Sequence, residues 1–347
     1  MPAIPKVPRL LLVGSAAVLG LRALRQGRRI DFHDRVVLIT GGSRGLGLVL
    51  ARAFAREGAR LAILARDAAE VRRAEDDLRA TGAQVRGFAC DVRDQQQIDE
   101  TIGRVVDHYG RLDVLVNDAG VIQVGPIDHM TVADFKEAMG IHFWGPLYTM
   151  LAARPHLRKA GQGRVVNIAS IGGKIAVPHL VPYSASKFAL VGLSDGMRAE
   201  LAREGIRVTT VCPGLMRTGS PPNAFFKGNN EAEYAWFAIG DALPVTSIAV
   251  ERAAQQIVDA CRYGDPELTI SIQAQAIARA NALFPRLTGE VMALVNRLLP
   301  GPQPGAGTAR KTGWQSQSPV APSVLTHLSD EATTENNELH GHAPLTQ

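Results

Sequence analysis

Val36-Val37-Leu38-Ile39-Thr40-Gly41-Gly42-Ser43-Arg44-Gly45-Leu46-Gly47 is an apolar run that breaks into spaced glycines. An amphipathic stretch with Leu48, Leu50, Ala51 and Phe54 follows at once, so the segment reads strand, tight turn, helix. Working outward, the same alternation runs from Arg35 to about Pro300. Short runs at Leu61–Ala65, Val85–Cys90, Val114–Asn117, Arg164–Ala169, Arg207–Cys212 and Leu268–Ile272 alternate with helical patterns. Nearly all are apolar on both faces, as strands covered by helices on each side should be. The expected fold is a doubly wound α/β domain over residues 31–300, with a seven-stranded parallel sheet and helices on both faces. No repeat of fixed period appears, which argues against a solenoid or a propeller.

The 347 residues are 46% hydrophobic and 20% charged, a balance that supports a packed core and excludes a disordered, collagenous or multi-span membrane chain. The net charge is +5, yet Lys6, Arg9, Arg22, Arg25, Arg28 and Arg29 fall within the first 30 residues with no acid among them, which leaves −1 for the rest. The basic balance therefore belongs to an arm. The body shows no stripe of Lys and Arg of the kind nucleic acid requires. Cys90, Cys212 and Cys261 cannot pair evenly and have no ligand-like spacing, so neither a disulfide framework nor a metal site is expected. Leu10 to Leu21 is uncharged and basic-flanked, but shorter than the about 20 apolar residues of a spanning helix. Three readings stand for it: an interfacial membrane anchor, a signal-peptide core, or a helix packed on the domain or on a partner. The expected location is the cytoplasmic side, with membrane association through residues 10–24. Residues 301–347 are rich in Gly, Pro, Ser, Thr, Asn and Gln and read as a disordered tail, in which His340 and His342 are solvated rather than metal ligands.

Glycines at 41, 45 and 47 permit a tight strand-to-helix turn and let backbone N–H groups approach a pyrophosphate. The second strand ends in Ala65-Arg66-Asp67, where an adenosine ribose is normally read. An acid at the strand's end would bond a free 2′-hydroxyl, whereas arginine complements a 2′-phosphate. Arg66, with Arg44 in the glycine loop, favours NADP(H) over NAD(H); the competing reading has Arg66 solvated and Asp67, a good helix cap, reaching the ribose.

From Asp34 to about Tyr263 the chain resembles the single-domain short-chain dehydrogenases/reductases, with their Rossmann-type fold. The motifs occur in order: TGxxxGxG at Thr40–Gly47, Asp91-Val92, an NNAG-like Asn117-Asp118-Ala119-Gly120, Ser170, Tyr183-Ser184-Ala185-Ser186-Lys187 as YxxxK, and Pro213-Gly214 before Thr218. The resemblance implies cofactor contacts through Thr40, Gly41, Ser43, Gly45, Leu46 and Gly47 in the loop. It places Asp91 and Val92 at the adenine, and Asn117, Ala119 and Gly120 against the cofactor's other face. Lys187 would grip the nicotinamide ribose, and Pro213, Gly214 and Thr218 would border the carboxamide. It also implies a homodimer or homotetramer.

Tyr183 and Lys187 lie one helical turn apart, so the ammonium is expected to favour the ionised phenol of the proton donor and acceptor. Ser170 would bond the substrate oxygen. Two departures stand out. His142, in Ile141-His142-Phe143-Trp144-Gly145, takes the place of the family's catalytic asparagine, whose carbonyl holds a relay water. A histidine there either adds a group titrating near neutral pH or packs in the helix bend. Asp118 replaces an asparagine and is expected to cap backbone N–H groups facing away from the phosphates.

Residues 215–243 read as a substrate lid holding Phe225, Phe226, Tyr234, Trp236 and Phe237, five of the chain's eighteen aromatics. These suggest a bulky apolar alcohol or carbonyl, steroid-, acyl- or terpenoid-like; alternatively they staple the lid to the domain. A helical extension at 273–299 carries an apolar face of Leu287, Val291, Leu294, Val295 and Leu298. The expected function is NADP(H)-dependent hydride transfer, the alternative a non-catalytic NADP(H)-binding regulatory or scaffold protein.

Overall fold

The computed structural model describes residues 20, 22–243, 246–323, 326–339 and 342. Most of the N-terminal segment 10–24, with its three readings, lies outside them, as does His340. Strands β1 (Val36–Thr40), β2 (Arg60–Ala65), β3 (Val85–Ala89), β4 (Val114–Asn117), β6 (Arg164–Ile168), β7 (Arg207–Pro213) and β11 (Glu267–Ile270) form one sheet in the order β11-β7-β6-β4-β1-β2-β3. Every pairing in it is parallel. The chain winds from β1 to β3 in one direction and returns to β4 on the other side of β1. This reversal opens a crevice beyond the ends of β1 and β4, where doubly wound sheets take their ligands.

Alternation along β1 separates two cores. Val37 and Ile39 face helices α1 (Gly45–Arg56), α2 (Ala68–Ala80) and α8 (Val250–Tyr263), meeting Leu48, Leu50, Leu78 and Ile257. Val36 and Leu38 face α3 (Gln95–Tyr109), α5 (Gly145–Lys159) and α6 (Val181–Leu201), meeting Ile102, Leu157 and Leu201. Between α4 (Val132–Met139) and α5 the helix passes through a single wide turn, Gly140–Trp144, which holds His142.

Three smaller features complete the cleft. β8 (Leu215–Arg217) pairs with β10 (Ser247–Ala249), and β5 (Gln123–Val124) and β9 (Phe225–Phe226) join β12 (Lys311–Thr312) in a second small sheet. Helices α7 (Asn230–Ala242) and α11 (His327–Glu335) pack against each other. The described residues after Gly301 therefore do not form the expected disordered tail. They return across the domain, and although they bring few apolar groups, Thr326, Asp330, Thr333, Asn336 and Glu338 are buried. Thr326 bonds Asp330 at 2.8 Å and Thr333 bonds the Ser329 carbonyl at 2.8 Å, so mutual hydrogen bonding replaces hydrophobic burial. Helices α9 (Ile272–Leu283) and α10 (Pro285–Leu298) leave Leu287, Val291, Leu294 and Leu298 exposed. Among the described residues no helix is long and apolar enough to cross a membrane.

Candidate active site

The ends of β1, β2, β4, β6 and β7 border one cleft of about 770 Å³. Its floor begins with the turn between β1 and α1. Gly41 has φ 72°, and a Cβ there would stand 2.9 Å from the Ala119 backbone; at Gly47 it would stand 2.2 Å from the Gly41 carbonyl. The loop is thus closed against the end of β4 and against itself, and only hydrogen fits at these positions. Thr40 Oγ1 accepts from the Asp118 and Ala119 N–H groups at 3.1 and 3.2 Å, which ties the two strand ends together.

Gly41, Ser43, Arg44, Gly45 and Leu46 line the cleft, while Thr40 and Gly47 stand behind it as supports. At the end of β2 Arg66 is exposed and lines the cleft; the Asp67 carboxylate caps α2, accepting from Ala69 and Glu70 N–H at 2.7 and 3.0 Å. Asp91 and Val92 line the same end, and Arg93 grips the Asp91 carboxylate at 2.6 Å, holding it below the usual range. Ala119 and Gly120 line the opposite wall, whereas Asn117 does not. Its side chain donates to Asn167 at 2.8 Å and accepts from Thr149 at 2.7 Å, so the expected cofactor contact does not run through that group. Pro213, Gly214 and Thr218 close the far wall.

Ser170 lies just past β6, where its Oγ accepts from Gly172 N–H at 3.0 Å and it hydrogen-bonds the Tyr183 phenol. Tyr183 is in the first turn of α6, and Lys187 Nζ lies 5.6 Å from its ring centre while donating to the Ile168 carbonyl at 2.8 Å. All three side chains meet on the cleft floor. The phenol's state differs from the sequence expectation. Burial pushes Tyr183 up to about 12, with Asp118 and Asp241 adding to the rise and the Ser170 bond opposing it. The lysine's proximity does not overcome this, so the phenol is protonated at neutral pH. Burial likewise drives Lys187 down and Asp118 up, each restrained by the other's charge. Asp118 accepts from the Gly47 N–H, a backbone cap behind the loop.

His142 is buried in the wide turn, and its hydrogen bonds fix its tautomer. Val121 N–H donates to Nε2 at 3.1 Å, so the ring proton is on Nδ1 and points to Ser186 Oγ at 2.7 Å, which in turn donates to the Tyr183 carbonyl at 2.7 Å. Burial and Lys187 hold the ring well below its ordinary pKa. Of the two readings, this geometry favours the packed one: His142 is a neutral strut beneath the tyrosine.

Only Phe225 among the five aromatics of residues 215–243 lines the cleft. Phe226, Tyr234 and Phe237 are buried with Val124 and Leu180, and Trp236 donates to Glu233 at 2.7 Å. The aromatics chiefly fasten this segment to the domain. The cleft wall instead uses residues that sequence reasoning passed over: Ile122, Met216, Pro222, Trp314 and Glu338, with His342 stacked on Trp314 at 4.3 Å. The last three lie in the polar C-terminal segment, which has no local signature of a site. Among the described residues no cluster of His, Cys, Asp or Glu is arranged to hold a metal.

The cradle in front of Gly45 is shaped for an anion: a Cβ at that glycine would stand 3.1 Å from the Glu338 carboxylate. A switch-point cleft with such a cradle beside a serine, tyrosine and lysine defines a dinucleotide-dependent oxidoreductase. The chain belongs to the short chain dehydrogenase family, whose model matches residues 35–225. It is 39% identical over 188 residues to a putative ketoacyl reductase of Streptomyces coelicolor, covering 53% of this chain and 72% of that one. An uncharacterized oxidoreductase of Bacillus subtilis is 32% identical over 262 residues, 75% of this chain and 71% of its own. The crystal structure of a short-chain dehydrogenase from Streptomyces avermitilis superposes with a TM-score of 0.66 at 29% identity, covering 77% of this chain and 99% of that one. The protein is thus an oxidoreductase of this family, using NAD(P)(H) and a small-molecule alcohol or carbonyl.

Proposed function

We propose that the protein is an NADP(H)-dependent oxidoreductase acting on the carbonyl or secondary alcohol of a bulky apolar molecule, with residues 215–243 as its lid. The observation that carries this reading is the convergence of Ser170, Tyr183 and Lys187 on the cleft floor, one turn and one strand end apart. A nicotinamide held in this cleft would supply or take up the hydride. Ser170 and the protonated Tyr183 hold the substrate oxygen, and the phenol gives its proton as negative charge develops there. Lys187, fixed by the Ile168 carbonyl, faces the phenol ring and steadies its anion. Arg66 at the end of β2 and Arg44 in the loop support the phosphorylated cofactor, since the Asp67 carboxylate is engaged in capping α2. Ile122, Met216, Pro222, Phe225 and Trp314 support an apolar substrate. Membrane-surface association through residues 10–24 and a homodimer or homotetramer belong to the same proposal. Basic residues flanking the apolar stretch support the first, and the exposed face of α10 supports an apolar contact; vesicle flotation and sedimentation of the full chain test them.

The test follows cofactor absorbance with NADPH or NADH and a panel of apolar ketones and secondary alcohols. Turnover that prefers NADPH, and falls by about 10²- to 10⁴-fold in Tyr183→Phe with cofactor binding retained, is expected. A tenfold tighter dissociation constant for NADH would overturn the cofactor assignment.

A further inference from the structure

The three residues after α11 lie against the glycine loop with unusual completeness. Gly45 N–H, the first amide of α1, donates to the Asn336 carbonyl at 3.0 Å. Asn337 Nδ2 donates to the Ser43 carbonyl at 2.8 Å and to the Glu70 carbonyl at 3.3 Å, and its Oδ1 accepts from Arg73 at 3.0 Å. Glu338 crosses the cleft, its carboxylate accepting from Gly219 N–H at 2.7 Å and its carbonyl from Asn223 at 3.0 Å. The carboxylate is almost wholly buried, and one of its oxygens lies 3.1 Å from where a Cβ of Gly45, the first residue of α1, would stand. A carbonyl oxygen on the first amide of α1, with a carboxyl group beside it, occupies the environment that a pyrophosphate would take.

We propose that Asn336-Asn337-Glu338 is an intramolecular occupant of the pyrophosphate site, so that the C-terminal segment closes that part of the cleft and must leave for the dinucleotide to enter. The inference rests on the dinucleotide reading of that cleft. The Gly45 amide cannot serve the Asn336 carbonyl and a phosphate oxygen together, and a buried carboxylate beside a pyrophosphate would place like charges in contact. The apparent dissociation constant is then the intrinsic one divided by the fraction of molecules with the segment released. β12, paired with β9 through Lys311 and Thr312, and α11, packed on α7, are the upstream fastenings, so residues 336–338 detach without disturbing the main sheet. Arg52 is its outer latch. It donates to the Asn336 side chain at 2.7 Å and to the Glu335 carbonyl at 3.1 Å from outside the cleft.

Fluorescence titration of the full chain with NADPH and with NADH tests the proposal in three proteins: wild type, Asn337→Ala/Glu338→Ala, and Arg52→Ala. The double variant is expected to bind the preferred dinucleotide about tenfold more tightly, and Arg52→Ala about threefold more tightly. The second result separates competition from simple electrostatics, because removing a cation would by itself weaken an anionic ligand. Hydrogen exchange at residues 336–339 should be slow in the free wild type and fast at saturating dinucleotide. Weaker or unchanged binding in Arg52→Ala, or protection at 336–339 that persists with dinucleotide bound, overturns the proposal. If none of the three proteins binds either dinucleotide while 336–339 remain protected, the cofactor reading fails and the proposal with it.

Discussion

Two regions face each other across the cleft, and they are held by opposite means. The glycine loop and the strand ends beside it are fixed by close packing. The Gly41 and Gly47 positions leave no room for a methyl group, and β1 is buried along its whole length. Asn336, Asn337 and Glu338 opposite are held by hydrogen bonds with Arg52, Arg73, Ser43 and Gly219, between groups more than 100 residues apart in sequence. Close packing gives one geometry or none, whereas a polar seam can be exchanged bond for bond with water or with a ligand. The same cleft therefore has one rigid wall and one removable wall.

The sharpest way to break this contrast is a single methyl group on each side. Gly47→Ala drives a Cβ into the Gly41 carbonyl, so a loss of about 2–4 kcal/mol in stability, read from denaturant unfolding, is expected together with loss of dinucleotide binding. Glu338→Ala on the opposite wall should cost only about 1 kcal/mol, for the Gly219 N–H left without its partner, while tightening the dinucleotide. Equal destabilisation by both would erase the distinction between the walls.

His142→Asn probes the packed wall more gently. Losing the bonds to Val121 and Ser186 should cost about 1–2 kcal/mol. The pH profile between 6 and 8 should keep its shape, because the ring is neutral throughout that range. An inflection near neutrality that disappears in the variant would show that the ring does titrate.

The smallest effect belongs to the removable wall. Burial pushes the Glu338 carboxyl up to about 7, against an ordinary value of 4.5; Arg44 opposes the rise and Glu70 adds to it, with Asp118 and Asp241 also within electrostatic reach. The docked segment thus holds a proton that the released segment gives up. Docking is strongest below about pH 4.5, weakens as pH rises to about 7 and is constant above. Apparent dinucleotide affinity in the wild type, measured relative to Glu338→Gln, should rise by a few-fold across the accessible part of that window. A flat ratio would remove Glu338 from the docking equilibrium.

Sequence legibility follows the same division. The strands, the glycine turn and the Tyr183–Lys187 spacing were readable because each is dictated by neighbours in sequence through period-two burial, backbone freedom or one helical turn. The described residues after Gly301 are not legible in this way, because composition reports apolar burial and most of their buried side chains are polar. The aromatics of 215–243 were visible as a cluster, but their direction was not. A side chain's facing depends on Val124 and Leu180, which are remote in the chain. The tyrosine's protonation was likewise set by burial that no spacing reveals.

Arg164, the first residue of β6, donates to the Arg28 carbonyl at 2.6 Å, and Arg25 bonds Asp265 at 2.8 Å just ahead of β11. The front of the chain therefore leaves the body at the rim where the parallel strands begin, whereas the cleft opens at the rim where they finish. Arg22 to Arg29 and the reacting pocket thus lie at opposite ends of the strands, so a probe attached at Arg22 reports on that rim without entering the cleft.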